Sequence, residues 1–307
     1  PGQWGAIWTA GNPADPDSML GSCERAGYDM VRITADPDDP DRTPRKSVEY
    51  ARRMIAEAAL GREDPWVRVY ILGLFPVGGV DRLLSREAME EAMERVVPEG
   101  SQDTFARVMG LDVGAGGLDP SVLYRRQGAL VLPNPHVWRG LDGIEGAARV
   151  NRVWTDWDAD ACAVDMTGGW GASWFDQLKL MQRQATPVVY SSRADEPDRF
   201  NNKRSEMLWR LREGVLRNWA LPGKGTPGAA ELLEEATELR YSIVQDRMCL
   251  ELKPHLKARL GRSCDHLDAL GQTTAYSWGP RVRGGSGHSS HGGGPQTLDD
   301  DIVSDWS

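Results

Sequence analysis

The sequence lacks any apolar run that approaches the roughly 18 residues of a membrane-spanning helix. Its first ten residues also lack the basic and then apolar order of a signal peptide. Apolar residues nevertheless make up 40% of the 307 residues, which is enough to bury a core. These features predict a soluble globular protein that does not bind a membrane.

Zinc-binding patterns of cysteine and histidine are also missing. The four cysteines show no C-x-x-C spacing, and the five histidines include no pair suited to zinc apart from His288 and His291 in a Gly/Ser-rich segment. We therefore interpret the cysteines as reduced and structural. The net charge of -9 argues against a uniformly basic nucleic-acid binder, but it leaves room for a local basic stripe.

Phosphate-binding loops are incomplete as well. The chain contains no G-x-x-x-x-G-K-[ST] sequence. The glycines after Asp112 suggest a dinucleotide-binding loop, but G-x-G-x-x-G counted from Gly114 needs a glycine where the chain has Asp119. A strand rather than a helix is also predicted to follow, so the sequence argues against this loop.

The part of the chain before residue 98 gives mixed signals. Residues 1–10 predict a short strand that runs into a turn, which suggests that an upstream region is missing. Residues 47–60 have helical composition, whereas apolar residues alternate over residues 66–76 as they do in a strand. Ser85 predicts the start of a further helix. The turn-forming residues 98–103, PEGSQD, predict a domain boundary.

Beyond this boundary the predicted order is strand, strand, strand, helix, strand, which indicates a mixed sheet. Residues 171–184 and 202–219 predict two more helices around the strand TPVVYSS. A pair of short strands and a helix that begins near Asp265 close this part. Residues 280–307 are rich in Gly, Ser and His and then acidic, so they are predicted to be disordered.

Carboxylates follow three well-separated stretches. Asp112 ends the apolar run VMGL, and Asp165 ends ACAV, each before glycines that leave the approach open. Asp265 and Asp268 are three residues apart at a helix start, so they share one helix face. Oxygen ligands without nearby His or Cys favour Mg²⁺ or Mn²⁺, and two such ions support phosphodiester hydrolysis. The other interpretation is that these acids are turn residues and helix caps.

Four stretches in series, GLDVGAGGLDPSVL, VDMTGGWG, RFNNKRSEMLWRLREGV and SCDHLDAL, resemble the nuclease domain of tailed-phage terminase large subunits. The resemblance implies an α/β fold with an RNase H-like mixed sheet flanked by helices. It also implies an endonuclease that uses two Mg²⁺ or Mn²⁺ ions to cut concatemeric double-stranded DNA. Asp112, Asp165 and Asp265 match the family's catalytic, metal-binding triad. Asp268 is added as a fourth ligand because both acids of this helix serve the metals in related resolvases.

The resemblance extends to the front of the chain. TAGNP at residues 9–13 and VYILGLFP at residues 69–76 are similar to parts of the packaging ATPase. We therefore expect residues 1–98 to be a partial ATPase segment of the P-loop type, residues 99–279 to be the nuclease domain and residues 280–307 to be a tail. ATP hydrolysis is not expected, because the phosphate-binding loop is missing. Portal protein and the small terminase subunit are implied as partners, and the bacterial host cytoplasm as the location.

Several assignments stay open at this point. Lys203 and Arg204 either hold DNA phosphates or pair with Glu206 and other acids on a helix surface. Five tryptophans are predicted to be core and interface anchors rather than base-stacking platforms: Trp154, Trp157, Trp170, Trp174 and Trp209. Two other functions compete with the nuclease: a DNA- and portal-docking part of the motor that does not cleave, and a resolvase-like nuclease for branched DNA.

Overall fold

The computed structural model describes residues 9–14, 16, 18–76, 82–114, 119–245, 247–277 and 279–281. The chain divides into two compact units, which are residues 1–81 with 242–248, and residues 82–241 with 249–307. Most of the predicted first strand and nearly all of the predicted tail lie outside the described residues. None of the described helices is long and apolar enough to cross a membrane.

Within the described residues, the α-helices of the first unit are α1 (Met19–Arg25), α2 (Val48–Glu57) and α3 (Pro65–Tyr70). The predicted strand over residues 66–76 is wrong, because α3 occupies its first half. Asp64 caps this helix by accepting hydrogen bonds from the backbone N–H groups of Trp66 at 3.0 Å and Val67 at 3.4 Å. The Asp-Pro start is a helix signal that outweighs the alternating pattern behind it.

The second unit is built around a six-stranded sheet. Its strands are β1 (Arg107–Asp112), β2 (Ser121–Gln127), β3 (Leu130–Val131), β4 (His136–Trp138), β5 (Ala161–Asp165) and β6 (Ala185–Val188). The order is β3-β2-β1-β5-β6, and β4 pairs with β2. β2 runs antiparallel to β1, whereas β5 and β6 run parallel to it. The predicted mixed sheet is therefore confirmed.

Helices surround this sheet in the order α4 (Arg86–Glu94), α5 (Gly143–Trp157), α6 (Ala172–Leu180), α7 (Lys203–Arg217), α8 (Ala229–Glu238), α9 (Lys253–Leu260) and α10 (Asp265–Gln272). A two-stranded sheet pairs β7 (Tyr241–Val244) with β8 (Arg247–Leu250). The helices predicted over residues 143–154, 171–184 and 202–219 and from Asp265 onward are present as α5, α6, α7 and α10. The sequence pattern did not reveal α8, α9 or β4.

The two faces of the sheet bury different helices. Cys162 and Val164 of β5 pack in a cluster with residues of α5 and α6, whereas Ala163 packs in a second cluster with Met207 of α7. α10 lies against β1 and β2 on the α7 side. Gly110 of β1 allows this contact, because a Cβ there would lie 2.1 Å from the carbonyl oxygen of Ala269. The close approach fixes the start of α10 relative to the end of β1.

The compact units divide at residue 82, before α4, whereas the sequence placed a boundary at residue 98. α4 packs against α7 and α8 of the second unit. Arg95, which follows α4, donates to the carbonyl oxygens of Val215 at 2.8 Å and Trp219 at 3.0 Å. The assignment of residues 1–98 to an ATPase remnant stays a prediction.

Candidate metal and active site

Two of the predicted acids lie at the same edge of the sheet. Asp112 is the last residue of β1, and Asp165 is the last residue of β5. These neighbouring strands are parallel, with Leu111 opposite Val164, so they end together. Each aspartate is only 5% exposed. The glycine at 171 matters here, because a Cβ at that position would lie 1.9 Å from the carbonyl oxygen of Asp165.

The third acid comes from the helix that lies on the sheet. Asp265 is the first residue of α10 and is buried. It lines a cavity of about 300 Å³ together with Asp112 and Asp165. The structure thus brings the three predicted residues, which are far apart in the sequence, to the wall of one cavity.

Burial and the repulsion of neighbouring carboxylates disfavour the charged forms of Asp112 and Asp265. Burial raises the pKa of Asp112 well above its usual value; Lys253 opposes this shift, while Asp268, Asp165 and Asp265 add to it. Burial also raises the pKa of Asp265. A divalent cation would relieve this repulsion, and a donor set of carboxylate oxygens suits Mg²⁺ or Mn²⁺. The residues present therefore fit the metal that the resemblance implies.

The acids do not yet form a closed ligand cage. Within the described ranges, no three His, Cys, Asp or Glu side chains lie close enough together to hold an ion as they stand. The cavity is shared, but the carboxylates would have to converge when a cation binds.

Asp268 has different surroundings. It is 1% exposed and, among the described residues, is not one that lines the cavity. Its carboxylate accepts from Arg204 Nε at 3.0 Å, from Lys253 Nζ at 2.8 Å and from the Cys264 thiol at 3.1 Å. Burial works against the charged form, but Arg204 and Lys253 hold the pKa of Asp268 below its usual range. The carboxylate is therefore neutralised by the protein itself.

Lys203 and Arg204 are both buried in the start of α7. Lys203 Nζ lies 2.7 Å from a carboxylate oxygen of Asp195 and 3.0 Å from one of Glu206. Of the two alternatives that the sequence left open, this placement corresponds to pairing with Glu206 and other acids rather than to contact with DNA phosphates. The ion pairs are buried, however, and not on a helix surface. Buried, paired cations are poorly placed to reach DNA phosphates.

Several charged residues in or next to the site were not predicted. Lys253 and Lys257 of α9 line the cavity, and Lys257 Nζ lies 3.3 Å from Asp119. Glu235 of α8 is fully buried, pairs with Arg262 and accepts a 2.7 Å hydrogen bond from the backbone N–H of Leu267. It thereby satisfies one of the unpaired N–H groups at the start of α10. The sequence signal available for these lysines was the Leu-Lys-Pro start of α9, because a proline in the first turn marks the beginning of a helix.

The tryptophans mostly follow the prediction. Trp154, Trp174 and Trp209 are buried, and Trp157 packs against the core. Trp170 differs from these four, because it is 52% exposed and lines the cavity beside the acids. It is therefore not a core residue, and whether it anchors an interface stays a prediction.

No model of a known protein family matches the chain, and no curated protein matches it. Among solved structures, the chain is similar to the nuclease domain of the large terminase subunit gp2 of bacterial virus Sf6, with a TM-score of 0.53 and 20% identity, over 63% of this chain and 98% of that domain. A single-substitution variant of that domain with manganese has a TM-score of 0.52 and 19% identity, and one with calcium has a TM-score of 0.53 and 21% identity. Both comparisons cover 63% of this chain and 98% of the other. This likeness confirms the predicted fold, an RNase H-like mixed sheet flanked by helices as in terminase nuclease domains.

Proposed function

We propose that this chain carries the nuclease domain of a large terminase subunit and is a metal-dependent endonuclease that cuts concatemeric double-stranded DNA. One observation carries the proposal. Asp112, Asp165 and Asp265, each supplied by a different element, line one cavity in a fold shared with terminase nuclease domains. The manganese and calcium in structures of the similar Sf6 domain support a divalent cation here.

Asp112, Asp165 and Asp265 are the residues that would hold Mg²⁺ or Mn²⁺, with two ions as the proposed number. When bound in pairs, such ions make a water molecule nucleophilic and stabilise the leaving oxygen of a phosphodiester. The two strand ends and the start of α10 hold the three carboxylates on separate rigid elements. Separate rigid supports orient the ligands more precisely than one flexible loop would.

The lysines of α9 supply the positive charge of the site. Lys257 is 53% exposed and binds a backbone phosphate of DNA at the rim of the cavity. Lys253 lies deeper, and burial works against its charged form. Asp268 and Asp112 nevertheless hold its pKa above the usual value, so it stays protonated and faces the substrate phosphate as a cation. These contacts position the DNA strand without reading its sequence.

We assign Asp268 a positioning role rather than that of a direct ligand. Its two oxygens hold Arg204 and Lys253, so its charge is already balanced inside the protein. Loss of Asp268 would release Lys253 and leave the Arg204 charge buried without its partner. The assignment predicts that Asp268 acts on cleavage through Lys253.

The wider role follows the sequence resemblance. Residues 1–98 are proposed to derive from a packaging ATPase, and this chain alone is not expected to hydrolyse ATP because it has no phosphate-binding loop. The portal protein and the small terminase subunit are the proposed partners in the bacterial host cytoplasm.

Digestion of supercoiled plasmid with Mn²⁺ or Mg²⁺, against an EDTA blank, tests the nuclease. Asp112→Asn, Asp165→Asn and Asp265→Asn should each slow cleavage by about 100-fold or more, since several kcal/mol of charge stabilisation depend on the metal. Asp156→Asn removes an exposed acid of α5 and should cleave like the wild type. Cleavage by the three site variants at the wild-type rate would contradict the proposal.

The docking alternative, in which the nuclease is idle until the motor assembles, predicts a different result in the same assay. A protein that binds duplex DNA but cuts it with neither Mn²⁺ nor Mg²⁺ would support that alternative. Cleavage of naked DNA by the isolated chain would exclude it.

A further inference from the structure

Trp170 is a large apolar side chain exposed at a cavity that charged residues line. It is 52% exposed, and it is the one exposed residue among the tryptophans that the structure describes. An indole combines a large apolar surface with one N–H donor, so its exposure beside the acids makes Trp170 a candidate contact for a ligand. The lining of the cavity that holds Asp112 and Asp165 includes this indole.

The backbone around Trp170 holds the indole at this place. Asp165 accepts a 2.7 Å hydrogen bond from the N–H of Thr167, and Thr167 Oγ1 accepts from the N–H of Tyr190 at 3.1 Å. Gly168 and Gly169 follow with φ angles of 73° and 82°, which side-chain-bearing residues rarely adopt. The turn therefore connects the metal-site acid directly to the exposed indole.

The surroundings match the chemistry of an unstacked nucleotide. Lys253 and Lys257 place ammonium groups on the wall of the same cavity. Proteins that bind single strands combine such cations, which contact the backbone, with aromatic rings on which bases stack. The bases of an intact duplex are already stacked on one another. An indole at this site therefore suits a base that has left the stack, at an end, a mismatch or an unpaired position.

We infer that Trp170 stacks on an unstacked base next to the phosphate that is cut, so that the site prefers DNA with an unpaired nucleotide to a fully paired duplex. The position of the base next to the phosphate that is cut rests on the proposed nuclease function. Base binding itself needs no metal. It can therefore be measured separately from cleavage.

The test uses two duplexes, each labelled at one end. They differ only by a single unpaired thymidine, which one duplex contains and the fully paired duplex lacks. Fluorescence anisotropy in EDTA gives the dissociation constants, and Mn²⁺ then starts cleavage. The wild type should bind the unpaired duplex about tenfold more tightly, because stacking of one base contributes about 1–3 kcal/mol, and 1.4 kcal/mol is tenfold. Equal binding of the two duplexes by the wild type would overturn the inference without any variant.

Three variants separate stacking from a structural role. Trp170→Ala should lose most of the preference, whereas Trp170→Phe should retain most of it because the ring remains. Leu180→Ala removes an exposed apolar side chain at the end of α6 and should behave like the wild type. Thermal melts establish that each variant is folded. A folded Trp170→Ala protein that keeps the full preference would overturn the inference.

The two proposals fail in different ways. If the wild type prefers the unpaired duplex in EDTA but cuts neither substrate with Mn²⁺ or Mg²⁺, the nuclease function is wrong and base stacking stands. If it cuts both duplexes equally and binds them equally, the nuclease function stands and the role of Trp170 is wrong.

Discussion

Replacement of Arg204 by methionine tests the internal ion pair behind the cavity. Arg204 is 6% exposed, Asp268 is 1% exposed, and Nε lies 3.0 Å from Oδ1. Methionine fills most of the space but leaves the Asp268 charge without its buried partner. Removal of one member of a buried pair costs about 3–5 kcal/mol of folding free energy. Because Lys253 still contacts Asp268 at 2.8 Å, we expect the lower end, about 3 kcal/mol.

The assay is urea unfolding at pH 7, followed by tryptophan fluorescence and circular dichroism. Arg152→Met is the matched control, because Arg152 pairs with Asp156 on the surface of α5 with 82% and 70% of the side chains exposed. It should cost less than about 0.5 kcal/mol. The double variant Arg204→Met with Asp268→Asn should be less destabilised than the sum of the single changes. A cost for Arg204→Met no larger than that for Arg152→Met would refute the reasoning.

Two further predictions concern the supports of α10. Burial raises the pKa of Glu235 from 4.5 to about 8. The contribution of Glu235 to the free energy of unfolding is therefore fully present below pH 4.5 and is lost as the pH rises through about 8. Glu235→Gln should flatten the pH dependence of the unfolding free energy between these values; an unchanged slope in urea titrations would contradict this. Gly110→Ala places a Cβ 2.1 Å from the Ala269 carbonyl oxygen and should cost about 1–3 kcal/mol together with a loss of cleavage. Gly223→Ala is the control, because its Cβ would lie 3.7 Å from the nearest atom that it meets. It should cost less than a third of the folding free energy that Gly110→Ala costs. An equal cost for the two variants would refute the packing argument.

The sequence predicted the strands of the sheet because they depend on local signals, whereas the grouping of the three acids was implied by the family resemblance. The apolar runs that end at Asp112 and Asp165 are strands, and their ends meet because the strands are parallel neighbours. Asp265 was found at the start of its helix. Each of these residues carries its own local pattern of apolar run, glycine or helix start.

The remainder of the site depends on contacts between distant elements. Lys203 and Arg204 stand in a polar stretch, NNKRSE, and charged residues in such stretches are usually exposed. Their burial follows from acids on other segments, such as Asp195 and Asp268. Glu235 is one of several glutamates in α8, and the sequence alone does not show which of them faces α10. The exposure of Trp170 follows from the turn geometry rather than from its apolar character.

A crystal structure with Mn²⁺, located by its anomalous scattering, tests the central claim most directly. We predict manganese in the cavity, coordinated by carboxylate oxygens of Asp112, Asp165 and Asp265, while Asp268 remains paired with Arg204 and Lys253. A cavity without manganese at a saturating concentration, or manganese held by other residues, would contradict the account.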